Sequence, residues 1–505
     1  MSVVAEEVMA HGVAGHTALV EPNGQSLSYH ALGSIVRSLA AELASVAGSV
    51  TAMALPNSLE CIVTFLAVTC VSTAAPLNPQ YSVEEMKFYI SDSNASVLIV
   101  DDQGNKSAQE AAKSLGIKVV TIRRTKEGNF LFEGLKRSVS MKLKKPDDTA
   151  LLLHTSGTTS RPKLVPLTHS NLIASIKNIQ ATYELSPSDV GLLVMPLFHV
   201  HGLMCGLLSA LFAGGTVVVH GKFAASRFWN DVLMFQANWY TAVPTIHQIL
   251  LQRYSQDYPR WNPPKLRFIR SCSSSLAPAL MEQLEIRFQA PVIEAYAMTE
   301  AAHQMTSNML PKNGKRKPGS VGKPNVELAI LDDTGNILPA GKIGEVCIRG
   351  PNVTKGYLKN PVANKDAFAY NWFHTGDQGY LDSEGFLFLT GRLKEIINRG
   401  GEKISPLEID SVLLSHPAVA EAVSFGVPDA KYGQVVGVVV TLSPKRQVSR
   451  DELMLYCSKK LAPFKVPESS HFFIAESIPK TGSGKIQRIK VGQHFTSIQS
   501  SKSRL

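Results

Sequence analysis

Residues 155–163 read Thr155, Ser156, Gly157, Thr158, Thr159, Ser160, Arg161, Pro162 and Lys163: five hydroxyl side chains, one glycine, one proline and two cations in nine positions. Such a loop suits phosphate. Backbone N–H groups in a tight Gly/Ser/Thr turn form a concavity for anions, the hydroxyls add donors, and Lys163 adds a point charge. The glycine spacing and Lys-Ser/Thr ending of a Walker A loop are missing. Taken alone, the same residues also fit a polar surface turn.

Four later stretches carry reactive side chains at turn-like positions. Glu294, Ala295, Tyr296, Ala297, Met298, Thr299 and Glu300 read as a strand end entering a turn. Asp377 follows Phe373-His374-Thr375-Gly376, and Arg392 follows Gly391. A carboxylate offers only acceptors and so suits the hydroxyls of a diol, although an Asp at a turn is more often a cap and an Arg more often solvated. The pair Gly400-Gly401 before Glu402 is ordinarily a turn, and beside a cleft it lets backbone approach a ligand closely. Residues 479–485, PKTGSGK, form a second Gly/Ser loop with lysines, a composition that in isolation is most often a flexible linker.

The wording TSGTTSRPK closely resembles the signature loop of the acyl-adenylate-forming superfamily: acyl-CoA synthetases, peptide-synthetase adenylation domains and beetle luciferases. The four later stretches match it in order and spacing, so the resemblance covers essentially the whole chain. It implies that residues 155–163 hold ATP phosphates and that 294–300 bind the nucleotide, with Tyr296 stacked on adenine, Thr299 at the phosphate and Glu300 ligating Mg²⁺. It further implies Asp377 and Arg392 on the ribose, Lys485 as the adenylation lysine, Gly400, Gly401 and Glu402 along the pantetheine tunnel of coenzyme A, and Lys394 as a hinge. The implied catalytic residues are Lys485, Thr299 and Glu300, with ATP, Mg²⁺ and coenzyme A as cofactors and co-substrate. Two positions depart from the pattern. Leu164 stands where many members have glycine, and Ala297 replaces another glycine.

The acyl pocket of such proteins lies by the segment after Arg270 and by the residues after the Thr-Glu pair. Here those positions offer Ser273, Ser274 and His303, with His199 near the pocket mouth. Hydroxyls and an imidazole would be left unpaired around a fatty chain, whereas a second carboxylate on a small substrate would satisfy them. A packed histidine, serines in an adenine-proximal turn and a structural His201 are the plainer alternatives. The wording FHVHGL, RFIRSCS and EAYAMTEAAH is similar to the oxalate-CoA ligase branch, so the expected acid is oxalate, ahead of a medium-chain or other short acid. A luciferase-like oxidase is disfavoured by the polar pocket, and a non-catalytic nucleic-acid-binding protein would not require Lys485, Asp377 and Glu300 together.

The elements that position these residues alternate. Helical spacing over residues 27–44, 59–73 and 83–91 is interleaved with apolar strands at 51–54 and 96–100, and the alternation resumes at 191–195, 204–212, 216–219, 228–235, 239–243, 269–272 and 292–296. Residues 103–148 are more polar and read as an exposed connection with one strand, 119–122. Short alternating runs with Gly and Asp turns begin near 326 and predict antiparallel strands. The expected fold is therefore α/β: a large N-terminal domain (1–391) of layered, mostly parallel sheets with helices and a small antiparallel β subdomain (about 326–391), a hinge at 392–394, and a small mobile C-terminal α/β domain (395–502).

With 505 residues the chain exceeds one hydrophobic core, and 44% hydrophobic with 18% charged residues is ordinary for a soluble protein. The net charge of +10 is scattered without a long basic run, so a field for small anions explains it and no nucleic acid is expected. Six cysteines without a Cys-x-x-Cys pair indicate neither zinc nor a disulfide framework, and no signal peptide is evident, which points to a reducing compartment. The uncharged stretch 190–221 is broken by Pro196, His199, His201 and Gly214-Gly215, so no transmembrane segment is expected. A polar tail from Ser497 ends in Ser503-Arg504-Leu505, a variant of the Ser-Lys-Leu peroxisomal address. The expected partner is the peroxisomal import receptor and the expected location the peroxisome matrix, with a cytosolic pool possible.

Overall fold

The computed structural model describes residues 3–46, 48–138, 141–155, 162–481 and 486–502. Of the expected site residues, Ser156, Gly157, Thr158, Thr159, Ser160, Arg161 and Lys485 lie outside that set, as does the 503–505 tripeptide. The described residues form a mixed α/β structure with two large, mostly parallel sheets, an antiparallel sheet and a C-terminal α/β unit.

The first large sheet has seven strands in the order Phe130–Phe132, Lys118–Arg124, Val97–Asp101, Val50–Met53, Thr73–Pro76, Thr149–Thr155, Lys163–Thr168. Its inner strands are parallel and buried on both faces, so they read as continuous apolar runs. The helix Leu59–Val71 is apolar all round because it lies inside, and Ser58 caps it by accepting the Cys61 N–H. The last two strands pair antiparallel, with Thr155 opposite Lys163.

The expectation for residues 103–148 is corrected. They hold a helix, Lys106–Ser114, and two strands, Lys118–Arg124 and Phe130–Phe132. Phe130 and Phe132 are buried, and the cation of Arg124 is met by Glu60 at 2.7 Å and Glu21 at 2.9 Å. The segment is polar because it forms the rim of the sheet, where one strand face and the outer edge stay charged.

The second large sheet has nine strands, ordered Lys323–Pro324, His303–Ser307, Val292–Met298, Phe268–Ser271, Trp239–Ala242, Val190–Leu193, Thr216–Val219, Thr17–Val20, Ser26–Ser28. The chain then builds the antiparallel sheet Glu327–Leu331, Gly344–Arg349, Phe373–Leu381, Leu387–Arg392. Beyond it, helix Pro406–Leu414 and strands Val419–Asp429 and Gly433–Leu442 enclose a core of their own around Ile409, Leu413, Val436, Val438 and Val440. Residues from Ser497, expected as a tail, belong instead to the helix Arg488–Lys502.

The helix expected over 204–212 starts earlier and is a π-helix at His201–Leu208 before an α turn at Ser209–Phe212. Gly202 is required there. A Cβ would collide with the carbonyl oxygens of Met195 and Pro196, so this glycine lets the helix start sit against the end of the preceding strand. No helix among the described residues is long and apolar enough to cross a membrane.

Candidate active site

Open α/β sheets take ligands outside the carboxyl ends of their parallel strands. At that edge of the nine-stranded sheet, Glu294, Ala295, Tyr296, Ala297 and Met298 lie in one strand, and Thr299 and Glu300 in the 3₁₀ turn that follows. The chain then reverses, pairing His303 with Met298. Ala297 has no positive φ, so replacing glycine there carries no backbone penalty.

Tyr296 is buried and its hydroxyl donates to Asp377. Asp377 faces Arg392 across the antiparallel ladder, and their ion pair spans 3.2 Å. Burial, and next the Asp377 carboxylate, hold the Tyr296 phenol well above its usual pKa. The turn that aims Asp377 is pinned from behind: Glu345 accepts the Gly376 N–H at 2.9 Å and meets His374 Nδ1 at 2.8 Å, while Thr375 Oγ1 accepts the Asp377 N–H at 3.1 Å.

Glu300 is buried, and burial raises its carboxyl above the ordinary range. It accepts a 2.9 Å hydrogen bond from Tyr357, whose ring lies 4.4 Å beneath the Lys163 ammonium. Lys163, at the base of the 155–163 loop, is thus joined to Glu300 through one aromatic side chain. Pro162 precedes it, half-buried. Leu164 turns its side chain into the core with Leu152 and Ala75 while its carbonyl accepts the Leu358 N–H, which accounts for a large residue where glycine is usual.

The acyl-side residues come together in part. Ser273 Oγ lies 3.0 Å from His201 Nδ1, and the His201 and His303 rings stack at 5.3 Å. The Nε2 of His303 is buried without a hydrogen-bond partner among the described residues. Ser273 and His303 hold φ of 73° and 107°, strained for residues other than glycine. Burial first, and Arg270 next, lower both imidazoles well below their usual pKa, which keeps them neutral. His199 accepts the His201 N–H through Nδ1, at the start of the π-helix. Ser274 is exposed.

Arg392 and Glu395 bracket Lys394 in a turn where Glu395 and Ile396 both donate to the Arg392 carbonyl, and Lys394 is exposed. Gly400 and Gly401, at φ of 59° and 96°, make the tight tip of the hairpin between Ile397–Arg399 and Glu402–Ile404, and with Glu402 they are exposed. The strand leading into that tip is held by Arg399, which donates to Phe464 O and Glu468. Gln248 of helix Pro244–Gln252 donates to Ala420 O, joining the large lobe to the small one.

Tyr357, Arg270, Thr241 and Glu345 were not singled out by the sequence reading. Tyr357 had no signal beyond a Gly-Tyr pair. Arg270 had one, a cation inside an apolar strand.

A sheet edge carrying a tyrosine–carboxylate–arginine set, with Lys163 joined to Glu300 through Tyr357, is the arrangement of a nucleotide-binding enzyme. The chain belongs to the AMP-binding enzyme family: the AMP-binding enzyme profile matches residues 6–358 and the AMP-binding enzyme C-terminal domain profile residues 408–485. It is 52% identical to an oxalate–CoA ligase of Arabidopsis thaliana (93% of this chain, 94% of the relative) and 47% identical to an oxalate–CoA ligase of Saccharomyces cerevisiae (90% and 88%). It is also similar to ATP-bound MatB from Rhodopseudomonas palustris, with a TM-score of 0.87 at 28% identity over 98% of this chain and 99% of that one. Apo MatB gives 0.78 over the same coverage, so the overall arrangement is nearer the ATP-bound form.

Proposed function

We propose that the protein joins a small dicarboxylic acid, oxalate, to coenzyme A at the expense of ATP, through an acyl-AMP intermediate. Its similarity to two oxalate–CoA ligases supports this reading. The observation that carries the choice of acid is the polar group Ser273, His201 and His303, two of them on strained backbone, beside the strand of Tyr296. A fatty chain would strand these polar atoms, and a second carboxylate would use them.

A carboxylate resists thiols because its leaving group would be oxide. In the proposed first step a substrate oxygen attacks the α-phosphorus, and the bond to the departing pyrophosphate breaks. Lys485 and the 155–163 loop donate to the phosphoryl oxygens as charge grows there, Tyr296 stacks on the base, and Asp377 and Arg392 hold the ribose. Thr299, in the 3₁₀ turn that follows the strand of Tyr296, contacts the phosphate in this reading. Glu300 fits a magnesium site: it is a buried oxygen donor whose ionised form lacks solvation and gains from a hard cation. When bound, magnesium neutralises part of the phosphate charge.

In the second step the thiol sulfur of coenzyme A attacks the acyl carbon and AMP leaves. The exposed hairpin of Gly400, Gly401 and Glu402 reaches the cleft by rotation of the small lobe about Lys394. Ser503-Arg504-Leu505 supports recognition by the peroxisomal import receptor and a peroxisomal matrix location, beside a cytosolic pool.

The test is pyrophosphate release by the purified protein with ATP, magnesium and oxalate, malonate, acetate or octanoate. Oxalate is expected to give the highest kcat/KM. Preference for octanoate or acetate would overturn the assignment of the acid, and absence of AMP-ester formation with every acid would overturn the reaction.

A further inference from the structure

Arg270 is a buried cation in the middle of the nine-stranded sheet. Its three nitrogens donate to neutral oxygens: Nε to Tyr183 OH at 2.7 Å, Nη1 to Thr241 Oγ1 at 3.2 Å, and Nη2 to Gln304 Oε1 at 3.1 Å. No carboxylate among the described residues pairs with it. A guanidinium in such a place is costly, and an apolar side chain of similar volume would serve stability as well or better. Its positive field is therefore the property to be explained.

The field has an outlet. Thr241 lies opposite Arg270 in the parallel ladder, and its Oγ1 is 2.6 Å from His201 Nε2. With one lone pair taken by the guanidinium, the hydroxyl is polarised to donate its own proton. Two acceptors are in reach, His201 Nε2 and the Cys205 thiol, and an imidazole lone pair is much the stronger. If Nε2 accepts, the ring proton of neutral His201 is on Nδ1, which then donates to Ser273 Oγ at 3.0 Å. The Ser273 hydroxyl, accepting that proton on one lone pair, turns its own hydrogen away from His201 and keeps it to donate. His303, stacked on His201, adds a buried Nε2 with no partner among the described residues.

We propose that Arg270 and Thr241 are positioning residues which, through His201, orient the Ser273 hydroxyl as a hydrogen-bond donor to the distal carboxylate of a small dicarboxylate substrate. The proposal rests on the acid–CoA ligase reading above and deepens it by naming what selects the second carboxylate. Arg270 itself does not touch substrate. It sets the direction of a chain of hydrogen bonds and supplies a positive potential that a neutral distal group would not exploit.

The test uses the full-length enzyme with oxalate and its monoamide, oxamate, which keeps the shape and one carboxylate. Thr241→Val removes the link between Arg270 and His201 at nearly constant volume. The expected result is a KM for oxalate raised roughly 10- to 100-fold, the range for a hydrogen bond to a charged group, with the KM for ATP unchanged and oxalate-over-oxamate discrimination reduced in proportion. Thr241→Ser restores the hydroxyl and is expected to restore discrimination, which a purely structural role for the threonine methyl would not allow. Should Thr241→Val fail to fold, Thr241→Cys, with only a weak donor, carries the same comparison against Thr241→Ser. A wild-type enzyme that prefers oxalate, with a Thr241→Val or Thr241→Cys variant that keeps its oxalate KM, overturns the relay alone. A wild-type enzyme that prefers monocarboxylic acids overturns the dicarboxylate reading and the relay with it.

Discussion

Asp377 answers Arg392 directly across one antiparallel strand pair, whereas Arg270, inside the parallel sheet, is surrounded by a phenol, a threonine and a glutamine. The two regions flank the same strand, Val292–Met298, and treat charge in opposite ways. On the proposed nucleotide side opposite charges already satisfy one another, so the hydroxyls of a bound ribose would replace an existing partner at little cost. On the acyl side the cation is buried and its compensation incomplete, so the site favours an incoming anion before any arrives. In the proposed function, the first half would suit a substrate shared across a family and the second the choice among acids.

The comparison breaks most sharply at Lys485. If the nucleotide side serves every acid alike, Lys485→Ala should lower adenylate formation by roughly 10²- to 10³-fold, the usual cost of one preorganised donor to developing charge. The loss should be the same for oxalate as for poorer acids. Thioester formation from supplied oxalyl-AMP and coenzyme A should survive, as measured by single-turnover assay. Equal loss of both half-reactions would show that the lysine is not confined to the first step.

Ser273 sharpens the acyl half. It keeps a φ of 73°, a conformation that costs a residue with a Cβ about 1–2 kcal/mol. Ser273→Gly should therefore raise stability by about 1 kcal/mol in denaturant unfolding while raising the KM for oxalate about tenfold or more. Opposite signs in the two measurements would mark a strained residue kept for binding. A variant that gains stability and loses nothing in KM would return Ser273 to the status of an ordinary turn residue.

The same contrast explains what could be read without coordinates. The nucleotide half is written in contiguous stretches, with Tyr296 and Glu300 in one and Asp377 in another, because turns at strand ends need particular residues at fixed offsets. Arg270, Thr241, His201 and Ser273 meet through strand register and the start of a π-helix, and register is not legible in a single chain. Ser273 and His303 were visible as polar residues where a fatty pocket would be apolar. Arg270, in the run Phe268-Ile269-Arg270-Ser271-Cys272, was visible as a charge in a strand buried on both faces, and it was passed over as a landmark. The parallel strands are legible from their apolar runs, but the structure of residues 103–148 is not, because Arg124 looks solvated until Glu21 and Glu60 are brought to it.

Glu294 lies between the two halves. It opens the segment that carries Tyr296, and its Oε1 accepts the N–H of Leu276, three residues beyond Ser273. Its other oxygen is buried without a partner among the described residues, and burial pushes its carboxyl up to about 8 from an ordinary 4.5. Between those two values the folded protein holds a proton that the unfolded chain has released. This contribution to stability is complete below about pH 4.5 and is lost as pH rises toward and through about 8. Glu294→Gln, which cannot ionise, removes the dependence. Thermal unfolding followed from pH 5 to 9 should show the variant close to wild type at the acid end and more stable at the alkaline end. If the two curves run parallel across the range, the Glu294 carboxylate is ionised in the folded state, and the seam between nucleotide and acyl sides carries a negative charge that would oppose a dianionic substrate beside it.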